Sequence, residues 1–172
     1  MPEVEIGPAD PSQPDVAEMV AAHLARSQAL YAAEASHVLS TDALRAPSIK
    51  FFAARLDGQP VGIGALRDLG DGVGEIKSMF TRDEARGRGV GRAMLSYIVA
   101  IARSAGLQRL CLETGTDPDS VAARTLYTSM DFRECDPFGP YAAHPDSMFM
   151  ALDLGTIDRP GPIRDLDGQA AP

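Results

Sequence analysis

The chain has 172 residues, 45% of them hydrophobic and 23% charged, which fits one globular domain able to bury its own core. Acids outnumber bases by 24 to 16, a formal charge of −8. A general nucleic-acid binder is thereby excluded, because such a surface must be basic to displace counterions from phosphates. In chain order, Val4 and Ile6 alternate with acids as in a short edge strand. Asp10, Ser12 and Asp15 are N-cap candidates for a helix to about Ala33, with Pro14 in its first turn and Val16, Met19, Val20 and Leu24 as its apolar stripe. A second helical piece is expected from Ala35 to Leu44, ended by Ala46-Pro47. Ile49 to Leu56 and Pro60 to Leu66 read as strands around the hairpin signal Asp57-Gly58. A turn at Leu69 to Gly72 leads to a strand at Val73 to Thr81. Val90, Met94, Tyr97, Ile98 and Ile101 mark a helix from near Gly89 to Gly106. Leu107 to Thr114 is a strand and Ser120 to Met130 a helix; Phe132 to Cys135 and Met148 to Leu152 are strands joined by a long loop. The pattern is a mixed α/β domain over residues 1–154, with 155–172 as a mobile tail rich in proline.

Met1 to Pro14 is acidic and carries prolines, unlike a signal peptide. The longest apolar stretch, Ala93 to Ala102, is too short to cross a bilayer and is broken by Ser96. Cys111 and Cys135 have no C-x-x-C partner, so neither a disulfide framework nor a structural zinc is expected. His144 lacks an H-x-x-H or acidic ligand pattern, so no metal is expected there. These features predict a reduced, soluble, cytoplasmic protein with neither nucleic acid nor membrane as partner.

The most informative segment is Arg86-Gly87-Arg88-Gly89-Val90-Gly91-Arg92. Three glycines between a strand and a helix let a ligand approach the backbone, and the helix start presents unpaired N–H groups to an anion. No acid occurs from Ala85 to Leu112, against five arginines. A P-loop is excluded because Arg92-Ala93 stands where Lys-Ser/Thr is needed, and a dinucleotide fingerprint because G-x-G-x-G replaces G-x-G-x-x-G.

Arg86-x-x-Gly89-x-Gly91 resembles the acyl-coenzyme-A signature Q/R-x-x-G-x-G/A of the GNAT (Gcn5-related) N-acetyltransferases. Ala123-Arg124-Thr125-Leu126-Tyr127, followed by Phe132, is similar to the family's A-x-x-L-Y…G-F segment. The resemblance runs from about Val4 to Leu154 and includes a bacterial subgroup with strings like Leu112 to Thr116 and Pro137 to Tyr141. Two positions depart from the pattern. Asp131 replaces the glycine before the phenylalanine, where a left-handed turn is still tolerated. Ser120 replaces an asparagine and can still cap the helix, leaving its contact to the coenzyme open.

The resemblance implies an α+β domain with a mixed sheet of about seven strands and about four helices, splayed between strands 4 and 5. It implies that acetyl-CoA lies in the gap, its pantetheine arm along Met79, Phe80 and Thr81 and its pyrophosphate on the amides from Arg86 through Gly87, Arg88, Gly89, Val90 and Gly91 to Arg92. A bulge in the fourth strand would free the Met79 N–H for the thioester oxygen. The implied reaction is direct acetyl transfer to a primary amine of a small molecule or peptide.

Glu75 is the candidate base, acting directly or through water; it lies eleven residues before Arg86, the family interval. Its position with Lys77 and Ser78 in a central strand is unusual for charge, so a partner or a task is required; pairing with Lys77 is the structural alternative. Tyr127 is the candidate acid for the leaving thiolate, the alternative being a packed core tyrosine. Glu113 and Thr114, at the end of the fifth strand, are candidate acceptor contacts or strand-end caps. Phe138 and Tyr141, in the proline-bearing loop before Met148, are candidates for an apolar wall beside the acceptor. His23 and His37 read as surface or packing residues, and Cys111 as a core residue. The resemblance leaves a homodimer as an option. Two other readings remain: a non-catalytic acyl-CoA sensor or protein-interaction module of the same fold, and a nucleotide-binding α/β protein, which the failed fingerprints disfavour.

Overall fold

A computed structural model describes residues 3–30 and 37–155. Seven strands form one mixed sheet in the order β1-β2-β3-β4-β5-β7-β6. They are β1 (Glu5–Pro8), β2 (Ile49–Leu56), β3 (Gln59–Gly70), β4 (Val73–Thr81), β5 (Arg109–Gly115), β6 (Arg133–Cys135) and β7 (Ser147–Asp153). The helices are α1 (Pro14–Leu30), α2 (Thr41–Leu44), α3 (Val90–Ser104) and α4 (Val121–Ser129). All neighbours are antiparallel except β4 and β5, which are joined by the α3 crossover and run parallel.

Strands β2 and β3 are buried on both faces, which explains their unbroken apolar runs. Phe52, Ala54, Val61 and Leu66 pack with Val90, Met94, Leu95 and Ile98 of α3. Phe51, Ala53, Ile63 and Ala65 pack on the other face with Val16, Met19 and Val20 of α1 and Leu44 of α2. The helix α3 crosses β3 closely because Gly62 and Gly64 carry no side chain. A Cβ on Gly62 would lie 2.8 Å from Val90 Cγ1, and one on Gly64 2.9 Å from Met94 Cγ.

Several boundaries differ from the sequence reading. The second helical piece shrinks to Thr41–Leu44, capped by Ser40, whose Oγ accepts from the Ala43 amide at 3.3 Å; residues 31–36 lie outside the described part, as do the end of the first helix and residues 156–172 of the expected tail. The β3 strand runs four residues beyond Leu66, paired with β2 and β4. Asp10 closes a turn on Ser12 rather than capping α1, and Asp15 pairs with Arg55 at 2.9 Å. Asp131 does adopt the left-handed turn, at φ 68, and delivers Phe132 to the core with no exposure.

Candidate active site

The fourth strand creates the site by breaking its own ladder. Ile63 pairs with Phe80 and Ala65 with Lys77, so β4 carries one extra residue at Ser78-Met79. Ser78 absorbs the bulge at φ 56, a left-handed conformation that costs a non-glycine residue about 1 kcal/mol or more. Pairing between β4 and β5 stops at Ile76 and Leu112, whereas β5 stays paired with β7 as far as Gly115 and Ser147. From Lys77 to Thr81 the β5-facing edge of β4 therefore has no ladder partner. The sheet opens there into a cleft of about 570 Å³.

One end of the cleft is the turn into α3. Gly87 and Gly89 stand at φ 72 and 82 with open space where a Cβ would project. Both conformations suit glycine alone, which is why the motif spends glycines here. Arg86, Gly87, Gly89, Val90, Gly91 and Arg92 line this end. Val90 contributes only backbone, since its side chain is 1% exposed in the core. Arg88 is exposed and is not part of the wall. Arg86 pairs with Asp83 at 2.9 Å, and Arg92 donates to Ser129 Oγ at 2.6 Å. Met79, Phe80 and Thr81 form one wall, and Thr114, Ser120, Leu126 and Tyr127 belong to the opposite one. Ser120 does not cap α4 with its side chain; its Oγ donates to Asp117 Oδ2 at 2.7 Å. Tyr127 is buried, and desolvation pushes its phenol up to about 12.

The other end is a polar cluster on the α1 side of the sheet. Glu75 is 1% exposed. Its Oε1 receives Lys77 Nζ at 2.8 Å and the Tyr141 hydroxyl at 2.9 Å, and Lys77 also donates to Tyr141 at 2.7 Å. Residues two apart on a strand share a face, so the Glu75–Lys77 pair follows directly from the sequence. Glu75 Oε2 and Ser78 Oγ are buried without a partner, and both residues line the cleft. Burial, then Glu75, pushes the Tyr141 phenol well above the ordinary tyrosine range.

The expected acceptor-side residues are not all brought together. Glu113 lines the cleft, and His37 Nδ1 lies 2.6 and 2.8 Å from its two oxygens, so the carboxylate already holds one neighbour there. Phe138 lies behind the cluster, edge-on to Tyr141 at 5.3 Å and to Phe149 at 5.7 Å, and borders a separate depression with Arg109 and Cys135. Tyr141 is tied to the site through its hydroxyl contacts with Glu75 and Lys77. Lys77, His37 and His23 were not among the expected site residues. His37 meets Glu113 across 76 positions, a pairing no local pattern encodes.

His23 lines the cleft, half-buried, with its ring 5.4 Å from Phe80. Burial, then Arg26, lowers its imidazole from 6.5 to about 4. Between those values the unfolded chain binds the proton and the folded one does not. Stability must therefore fall as pH drops from 6.5 to about 4. His23→Gln is expected to flatten that fall by about 1–3 kcal/mol, measured as urea unfolding at pH 7 and pH 4.5.

The description of the acetyltransferase (GNAT) family matches residues 17–132. The chain is 40% identical over 155 residues to an IAA acetyltransferase of Azospirillum brasilense, covering 90% of this chain and all of that one. It is 38% identical over 145 residues to the uncharacterized N-acetyltransferase YedL of Escherichia coli (strain K12), covering 84% and 91%. A Klebsiella pneumoniae structure assigned as an acyl-CoA N-acyltransferase superposes with a TM-score of 0.75 at 28% identity, covering 88% and 97%. An aminoglycoside 6'-N-acetyltransferase complexed with coenzyme A shares the fold, with a TM-score of 0.66 at 14% identity, covering 87% and 97%. With the splayed sheet, the glycine turn and these likenesses together, the chain belongs to the GNAT acetyltransferase family.

Proposed function

We propose that this protein is an N-acetyltransferase that moves the acetyl group of acetyl-CoA directly to a primary amine of a small molecule or peptide. The observation that carries the reading is the unpaired edge of β4 from Lys77 to Thr81, which leads straight into the glycine turn and the start of α3. A pantetheine arm is a chain of amides that an open strand edge can pair with, as an added strand would. A pyrophosphate suits the free amides of Val90, Gly91 and Arg92, where the helix dipole together with Arg86 and Arg92 favours an anion. Gly87 and Gly89 leave room for it, since a Cβ at either would project into open space.

Tyr127 then stands as donor to the developing thiolate. Its phenol, pushed up to about 12 by burial, holds its proton more firmly than a free thiol does. The hydroxyl acts by donating a hydrogen bond to sulfur, which stabilises the charge without losing the proton. The Met79 amide, freed by the bulge, is the candidate donor to the carbonyl oxygen. Glu75 offers its unpartnered Oε2 to a proton of the acceptor nitrogen, while Lys77 and Tyr141 fix Oε1. The same ion pair also favours a second reading, a purely structural Glu75 in an acyl-CoA sensor.

The test is thiol release from acetyl-CoA across amino acids, polyamines, arylalkylamines, aminoglycosides and peptides with a free N-terminus. IAA, the compound in the name of the Azospirillum brasilense relative, belongs in the same panel. Acceptor-dependent release supports the transferase; tight acetyl-CoA binding with no release from any acceptor supports the sensor. Stabilisation by ATP or NAD in place of acetyl-CoA on heating would contradict both. Gly89→Asp is expected to weaken acetyl-CoA binding about tenfold or more by calorimetry, through backbone strain at φ 82 and a charge aimed at the pyrophosphate. Unchanged affinity would remove the turn from the site.

A further inference from the structure

We propose that His37, oriented by Glu113, is the base that takes the first proton from the acceptor ammonium; this rests on the amine-transferase reading above. An amine arrives at neutral pH as an ammonium and must shed two protons to become an amide. Glu75 is poorly placed to take the first. It is 1% exposed and so has little access to solvent for releasing a proton, and Lys77 Nζ and the Tyr141 hydroxyl already occupy Oε1 at 2.8 and 2.9 Å.

His37 has the features of an oriented base. Its Nδ1 lies 2.6 and 2.8 Å from the two oxygens of Glu113. An ionised carboxylate can only accept, so Nδ1 carries the proton, and in the neutral ring the lone pair then belongs to Nε2. Among the described residues Nε2 has no hydrogen-bond partner. The ring is held by Tyr141 at 4.7 Å between centroids, and His37 lines the cleft. Its side chain keeps 29% exposure, enough to return a proton to solvent. Glu113 is a positioning residue, since it acts through His37.

The step balances as follows. An ammonium N–H bond breaks with its electron pair kept on nitrogen, and the proton passes to His37 Nε2 and on to solvent. The freed pair forms the C–N bond while the C–S bond breaks, sulfur keeping that pair. The second nitrogen proton passes to solvent, and the thiolate held by Tyr127 is protonated from solvent. His37 touches Glu113 from β5 and Tyr141 from the long loop, and the charged or titratable groups that line the same cleft include Glu75 and Lys77 from β4 and Arg26 and His23 from α1.

The test uses the full chain, acetyl-CoA and the panel amine that releases thiol fastest. His37→Gln is expected to lower kcat/KM for that amine about a hundredfold or more and to remove the acidic limb of its pH profile. Glu113→Gln keeps an oxygen for Nδ1–H but loses the charge, so a smaller loss of about tenfold is expected, with the limb retained but moved. Acetyl-CoA affinity stays at the wild-type value in both. Rates within threefold of wild type, or an unchanged limb in His37→Gln, overturn the proposal. A second measurement needs neither variant nor acceptor: nitrogen NMR of the wild-type protein labelled at histidine. Protonation of His37 at Nδ1 is expected above the acidic limb, and an Nε2-protonated ring overturns the dyad. A wild-type protein that acetylates no amine counts instead against the proposed function, which the NMR result leaves separate.

Discussion

Lys77→Met is expected to lower the free energy of unfolding by about 3–5 kcal/mol. The Lys77 side chain is 9% exposed and the Glu75 side chain 2%. Removing the ammonium leaves a buried carboxylate with the Tyr141 hydroxyl as its one recorded donor. The desolvation cost of that charge then stands uncompensated, while methionine fills nearly the same space. At this chain length, the melting temperature should fall by about 10 °C. Urea unfolding checks it as a lowered midpoint with an unchanged slope. The double variant Glu75→Gln, Lys77→Met should recover much of the loss, because both charges leave together. A single variant within about 1 kcal/mol of wild type would mean that water reaches the pair.

Tyr127→Phe is expected to lower kcat by about 10²–10³-fold, the effect of removing one preorganised donor from a charge that develops during reaction. The aromatic packing survives, because the ring contact with Phe132, 5.9 Å between centroids, does not involve the hydroxyl. Acetyl-CoA affinity and melting temperature should therefore stay near wild type. The measurement is steady-state kinetics beside calorimetric titration of acetyl-CoA. An intact kcat would make Tyr127 a packing residue. Equal losses in kcat and in coenzyme affinity would move its role from the transition state to binding.

The parts of the site that local chemistry specifies were legible in the sequence. The glycine turn announced itself through the one residue type that takes positive φ without strain, and Gly87 and Gly89 do so. The Glu75–Lys77 pair followed from the two-residue period of a strand. The hairpin at Asp57-Gly58, with both residues at positive φ, followed from turn chemistry. What escaped the sequence depends on tertiary placement. The bulge at Ser78-Met79 came from the resemblance alone, because serine gives no local sign of a left-handed backbone. The His37–Glu113 contact joins the α1–α2 connection to the far strand of the gap. Phe138 read as a cleft aromatic because its loop is long, yet its edge-on contact with Phe149 turns it onto the sheet face behind Tyr141. Tyr141, from the same loop, meets Lys77 and Glu75 through its hydroxyl instead of presenting a ring wall.

The two largest expected effects fall on opposite walls of one gap. Tyr127 projects from α4 beyond β5, and Lys77 from the first unpaired position of β4. A bulge that ends the ladder at Ile76 and Leu112 thus brings a buried donor, an open strand edge and a paired carboxylate to the same cavity. The arrangement has one chemical consequence that can be read without knowing any residue's role. Acetyl-CoA carrying ¹³C at the acetyl carbonyl should be mixed with the protein and the fastest panel amine, and the products resolved by mass spectrometry. Direct transfer puts label on the amine nitrogen in a one-to-one ratio with free thiol and leaves none on the protein. Labelled acetate with free thiol and an unmodified amine, or label retained on a protein side chain, would contradict direct transfer between the two ligands of the gap.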